Sequence, residues 1–131
     1  MGQGIKILII DDDPDITEAM KVVLDNRGFS VEVAHNITDG KAKATAIKPD
    51  LMILDVMMES NQDGFNLARD FKSDPVLKET PILMITGVKE QTGIDFKSEA
   101  GDETWLPVDE FLDKPVKPDV LLQKVDALLR K

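Results

Sequence analysis

Ile5-Lys6-Ile7-Leu8-Ile9-Ile10-Asp11-Asp12-Asp13-Pro14 changes character once, at Asp11, and that change decides how the chain is read. The run up to Ile10 is apolar but for Lys6 and rich in β-branched side chains, the pattern of a strand buried on both faces. The aspartates and the proline end it. Asp13 followed by Pro14 is a helix N-cap with proline at the first helical position, where the missing N–H loses no partner. Ile16, Met20, Val23 and Leu24 then recur at helical spacing, and Gly28 stops the helix. One strand therefore delivers three carboxylates to the mouth of one helix.

The same alternation continues outward. Ser30 to Ala34 alternates apolar and polar residues, as a strand near a sheet edge does. Asn36 to Lys48 is an alanine-bearing helix closed by Pro49. Leu51-Met52-Ile53-Leu54 is a second wholly apolar run, ending on Asp55, and Asp63 to Lys72 places Leu67, Ala68 and Phe71 on one helical face. Pro81-Ile82-Leu83-Met84-Ile85 is a third apolar run, ending on Thr86-Gly87. Residues 88–107 are polar and carry only a weak helical signal. Glu110-Phe111-Leu112-Asp113 is a short strand running into Lys114-Pro115, and a last helix starts near Pro118 and carries Val120, Leu121, Leu122, Val125, Leu128 and Leu129. Strand–helix alternation with wholly apolar central strands predicts an α/β fold, an open parallel sheet covered on both faces.

Bulk properties narrow the function. A chain of 131 residues with 42% hydrophobic content fits one domain with an ordinary core. With no cysteine there is neither a disulfide framework nor a thiolate metal site. The net charge of −9, from 16 Lys and Arg against 25 Asp and Glu, opposes contact with a nucleic-acid backbone. No apolar run approaches the ~20 residues of a membrane span, and the first residues lack a signal-peptide pattern. A soluble, cytoplasmic protein is expected, a single domain over residues 1–131 that closes with its last helix and has no output domain attached.

The polar residues fall at strand ends. Asp11 and Asp12 follow the first strand, Asp55 ends the third, Thr86 ends the fourth and Lys114 follows the fifth. Ligands of doubly wound sheets bind beyond the carboxyl ends of strands, where the strand order reverses. If the order is 2-1-3-4-5, Asp11, Asp12 and Asp55 converge there, flanked by a hydroxyl and an ammonium. Clustered carboxylates repel one another, and a hard cation such as Mg²⁺ holds them ionised through oxygen ligands. The single histidine, His35, follows the second strand on the far side. A metal, a carboxylate nucleophile, a lysine and a hydroxyl are the parts of phosphoryl transfer to aspartate. Each residue alone has a plainer reading: a capped helix for the DDD run, a turn residue for Asp55, a solvated lysine, a satisfied threonine. Their joint position at strand ends favours the site.

In the runs ILIIDDDPDI, LMILDVMM with DG following, PILMITG and FLDKPV, the chain from Ile5 to Leu129 resembles the receiver domain of two-component response regulators. The resemblance implies a flavodoxin-like, doubly wound (βα)5 three-layer sandwich with a parallel sheet of order 2-1-3-4-5. It implies that Asp55 is the phosphoacceptor. Asp11 and Asp12 correspond to the family's acidic pair, Asp12 being the stronger candidate for direct metal ligation. Asp55 and the Met57 backbone carbonyl complete the protein's ligands for Mg²⁺ or Mn²⁺. Thr86 corresponds to the switch hydroxyl, Phe111 to the aromatic whose rotamer follows it, Lys114 to the phosphate-pairing lysine and Pro115 to a cis-proline. The donor would be a histidine kinase or a phosphotransfer protein. The protein would be no classical enzyme, catalysing only its own phosphorylation and slow autodephosphorylation. Phosphorylation would bias a two-state equilibrium read on the face of the fourth helix, fifth strand and fifth helix, in a monomer or a phosphorylation-dependent dimer. No membrane or direct nucleic-acid contact is implied, and the downstream protein target is unnamed.

The chain departs from the family pattern in three places. Met58-Glu59-Ser60-Asn61-Gln62 lengthens the loop before Asp63-Gly64. The stretch from Thr86 to Lys114, with Trp105 and Pro107, is longer than usual by more than a helical turn. Met57 and Val88 stand where polar residues often orient an attacking water, so a slowly hydrolysing phosphoryl-aspartate is expected. Rival readings fare worse. A flavin site would not place three aspartates against a phosphate, a dehalogenase-type phosphatase needs an aspartate where Met57 stands, and an EF-hand beginning at Asp11 would need glutamate where Val22 stands. The alternative that keeps the fold is a pseudo-receiver, an interaction module not regulated by phosphorylation.

Overall fold

Five parallel strands form one sheet in the order β2-β1-β3-β4-β5. They are β1 (Lys6–Ile10), β2 (Ser30–Ala34), β3 (Leu51–Asp55), β4 (Ile82–Thr86) and β5 (Glu110–Asp113). The helices, numbered as they occur, are α1 (Pro14–Asn26), α2 (Ile37–Ile47), α3 (Asp63–Ser73) and α4 (Pro118–Leu129). The computed structural model describes residues 4–55, 63–86, 109–113 and 116–129. The weak helix expected within 88–107, Trp105 and Pro107 lie outside the described residues.

The period of two along each strand sorts side chains between two cores. Leu8, Ile10, Met52, Leu54, Ile82 and Met84 pack with Ala44 of α2 and with Leu67, Ala68 and Phe71 of α3. Ile7, Ile9, Leu51, Ile53, Leu83, Ile85 and Leu112 pack on the opposite face with Met20 and Leu24 of α1 and Leu121, Val125 and Leu128 of α4. The result is the expected three-layer sandwich. Wholly apolar strands are required because both faces of the sheet are covered.

Local signals set the helix ends. The Asp13 carboxylate accepts from the Asp15 and Ile16 N–H groups, as an N-cap does. At the other end the Phe29 N–H donates to the Leu24 carbonyl and the Gly28 N–H to the Asp25 carbonyl, with Gly28 at φ +92°. This is a Schellman ending, and it needs the left-handed backbone that glycine adopts freely. α2 ends differently. Lys48 itself takes the left-handed conformation (φ 50°) ahead of Pro49, because proline disfavours a further helical residue. On the surface of α1, the Lys21 ammonium is held above its ordinary pKa by its hydrogen bond to Asp25, at 2.7 Å.

Two contacts fix elements near the functional end and opposite it. Lys72 at the end of α3 donates to the Thr80 carbonyl (3.0 Å) and to Asp109 (3.1 Å), whose same oxygen accepts the Ile82 N–H (2.8 Å). That junction pins the starts of β4 and β5. On the other side, Gly40 lets α2 lie close on β1: a Cβ there would stand 2.7 Å from Ile10 Cδ1 and 3.1 Å from its Cγ2. Gly→Ala inside a helix ordinarily stabilises by about 1 kcal/mol. Here Ile10 is fully buried, so overpacking of about 1–3 kcal/mol opposes that gain. Gly40→Ala is therefore expected to destabilise, and in an Ile10→Val background, which removes Cδ1, the same change should be neutral or stabilising. Urea unfolding of the four proteins measures the coupling; stabilisation by Gly40→Ala in both backgrounds would refute the close approach.

Candidate functional site

β1 and β3 end side by side at the centre of the sheet. Ile10 pairs with Leu54, so the next residues, Asp11 and Asp55, stand at the same level of the sheet. Asp55 pairs with Ile85, which places Thr86 one residue beyond it on β4, and Thr86 pairs with Asp113 on β5. The backbone register thus carries Asp11, Asp55, Thr86 and Asp113 to one edge. This is the switch point, since β1 runs outward to β2 on one side and β3 to β4 on the other.

The carboxylates of Asp11, Asp12 and Asp55 converge, offering one oxygen each with all three within 4.8 Å of one another. Asp11 is 1% exposed and Asp55 2%, whereas Asp12 is exposed. At an effective dielectric near 20, two ionised groups this close repel by on the order of 3 kcal/mol for the buried Asp11–Asp55 pair before counter-charge acts. An arrangement of hard oxygen donors, two buried and one open to solvent, fits a hard divalent cation that keeps some of its water.

The three aspartates of the first turn divide the work. Asp13 caps α1, so the plain helix-cap reading holds for that residue. One oxygen of Asp11 accepts the Asp13 N–H at 2.9 Å, closing a turn that aims the acidic pair across the strand end. Asp11 N–H donates to the Ala34 carbonyl at 3.1 Å, which anchors the turn to β2.

Among the expected site residues, Asp11, Asp12 and Asp55 are brought together as described. Thr86 and Phe111 occupy β4 and β5, and their side chains lie outside what the structure describes. Met57, Val88, Lys114 and Pro115 also lie outside the described residues. Sequence reading had passed over Thr17 and left His35 apart. In the structure Thr17 is buried in the first turn of α1 and its hydroxyl meets His35 Nε2 at 3.2 Å. A threonine at the same helical spacing as the core-facing Met20 and Leu24 was the available signal.

Comparison with known proteins agrees with this geometry. Residues 7–126 match the family described as the response regulator receiver domain. The chain is 34% identical over 126 residues to the DNA-binding dual master transcriptional regulator RpaA of Synechocystis sp., covering 96% of this chain and 49% of that protein. It is 34% identical over 130 residues to the transcriptional regulatory protein GltR of Pseudomonas aeruginosa, covering 99% of this chain and 51% of the relative. The chain spans about half the length of the curated relatives it matches. A crystal structure of a two-component response regulator from Clostridium difficile superposes with a TM-score of 0.79 at 29% identity, over 97% of each chain. The chain belongs to the response regulator receiver domain family of two-component systems, and its fold is the flavodoxin-like one expected. Among the described residues no helix is long and apolar enough to cross a membrane.

Proposed function

We propose that Asp55 accepts a phosphoryl group from the phosphohistidine of a histidine kinase or a phosphotransfer protein. The observation that carries this reading is the convergence of the Asp11, Asp12 and Asp55 carboxylates at the switch point of the sheet. Asp11, Asp12, Asp55 and the Met57 carbonyl would hold Mg²⁺ or Mn²⁺. Such an ion supplies charge neutralisation for the oxygens of the transferring group.

Asp55 attacks phosphorus with one carboxylate oxygen, in line with the departing imidazole. The O–P bond forms as the N–P bond breaks; the imidazole leaves with the bonding pair and takes up a proton, and Asp55 becomes an acyl phosphate. Lys114 pairs with a phosphoryl oxygen and Thr86 reaches another with its hydroxyl. Phe111 follows Thr86 and reports the change to a protein-binding surface. The 131 residues act as one receiver domain, cytoplasmic, as a monomer or a phosphorylation-dependent dimer. RpaA is DNA-binding by name, but the charge of −9 on this chain opposes nucleic-acid contact by these residues themselves. The pseudo-receiver alternative leaves the clustered carboxylates without a purpose.

Incubation with acetyl phosphate and Mg²⁺, followed by peptide mass spectrometry, should place one phosphoryl group on Asp55. Modification elsewhere, or none, would overturn the reading. The same sample gives the lifetime. With Met57 two residues after the acceptor and Val88 two after Thr86, neither able to orient water through a polar side chain, decay should take minutes to hours, and a lifetime of seconds would contradict this.

A further inference from the structure

Among the described residues the buried polar side chains are Asp11, Thr17 and Asp55. Two belong to the carboxylate cluster; Thr17 is 2% exposed and does not. A hydroxyl is buried without loss only when it is hydrogen-bonded. Thr17 Oγ1 lies 3.0 Å from the Pro14 carbonyl and 3.2 Å from His35 Nε2. The hydroxyl carries one hydrogen, and a carbonyl can only accept, so that hydrogen goes to Pro14. With the hydroxyl's hydrogen on Pro14, the tautomer that completes the pair is the one in which His35 Nε2 donates to Thr17.

This contact has a consequence for the turn that bears the acids. His35 follows Ala34 directly, and the Ala34 carbonyl accepts the Asp11 N–H at 3.1 Å. Two consecutive residues at the end of β2 therefore grip the turn, one at Asp11 and the other on the first turn of α1. Between these grips, Asp13 donates its N–H to Asp11 (2.9 Å) and caps α1 with its carboxylate. The segment that carries Asp11 and Asp12 is bridged at both ends.

We propose that His35 and Thr17 are positioning residues for the Asp11–Asp12 pair, setting its affinity for a divalent cation. The proposal rests on reading Asp11, Asp12 and Asp55 as the cation site. Residues that directly support a metal ligand change affinity about 10–100-fold when removed. His35 and Thr17 act one contact further out, so a smaller effect, about 3–10-fold, is expected.

Isothermal titration of the whole chain with Mg²⁺ tests this, with urea unfolding in EDTA run on each variant. His35→Leu and Thr17→Val should each weaken Mg²⁺ binding about 3–10-fold, and the double variant should be little worse than either single one. Thr17→Ser and His35→Gln, which keep the hydroxyl and an N–H donor, should bind within about 2-fold of wild type. Long-range ¹H–¹⁵N spectra should show His35 protonated on Nε2 in the wild type. Wild-type Mg²⁺ affinity in the Leu and Val variants, with lowered stability in EDTA, would mean that the pair is a packing contact only and would overturn the proposal. A neutral ring protonated on Nδ1 alone would overturn it as well. No Mg²⁺ binding by the wild-type chain would remove the cation site itself, and both readings would fall.

Discussion

Asp55→Asn should abolish incorporation of phosphate from acetyl phosphate and Mg²⁺, while the chain still folds. The amide has nearly the shape of the carboxylate, and Asp55 sits 2% exposed at the end of a paired central strand, so the change in volume is minimal. The amide oxygen is a poor nucleophile, and the product of its attack would not be the acyl phosphate. The variant also replaces one of the three converging carboxylates by a neutral amide, a weaker oxygen donor to a hard cation. A cation present at about 100 times its Kd stabilises a folded site by about 2.7 kcal/mol. Wild type should show a gain of this order in urea when Mg²⁺ replaces EDTA. Loss of a direct carboxylate ligand should weaken binding at least as much as loss of a supporting partner, about 10-fold or more, removing about 1.4 kcal/mol or more of that gain. Phosphorylation of the variant at the wild-type rate would exclude Asp55 as acceptor. An equal Mg²⁺ gain in both proteins would exclude it as ligand.

Ile53→Ala should destabilise the fold severely. Ile53 lies on β3 between Ile9 of β1 and Leu83 of β4, is 1% exposed, and meets the packed face of α1 and α4. It therefore has strands on both sides and helices above, leaving little room for collapse into the cavity. Such truncations cost about 2–5 kcal/mol, against a total stability on the order of 10 kcal/mol. The thermal midpoint should fall by on the order of 10 °C. Val22→Ala on α1, where the side chain is 50% exposed, is the matched control and should stay within about 0.5 kcal/mol. A loss below about 1 kcal/mol for Ile53→Ala would mean that the central strand is less tightly packed than its burial indicates.

Much of the fold is legible in the sequence alone. Strand runs such as Leu51 to Asp55 show by composition alone that both faces are covered, and Asp13-Pro14 and Gly28 mark the ends of α1 through chemistry confined to a few residues. The acidic cluster was legible only by combining position with resemblance. The DDD run supports two readings, and the structure divides them between Asp13, which caps, and Asp11 with Asp12, which face Asp55. Lys48 was less readable. A helix closed by Pro49 was expected, but nothing in a lysine foretells that it adopts the left-handed conformation.

By itself the sequence determined the elements, the faces they bury and the placement of aspartates at strand ends, because periodicity, caps and turns act over a few residues. The tertiary structure decided which strands are neighbours. Only the parallel register of β1 with β3 brings Asp11 to Asp55, residues 44 apart in the chain. It also decided that β2 ends beside the acid-bearing turn, so that His35 meets Thr17, and that α2 lies close enough on Ile10 to require Gly40. Those contacts depend on close packing between elements distant in sequence, and no local pattern encodes the partner.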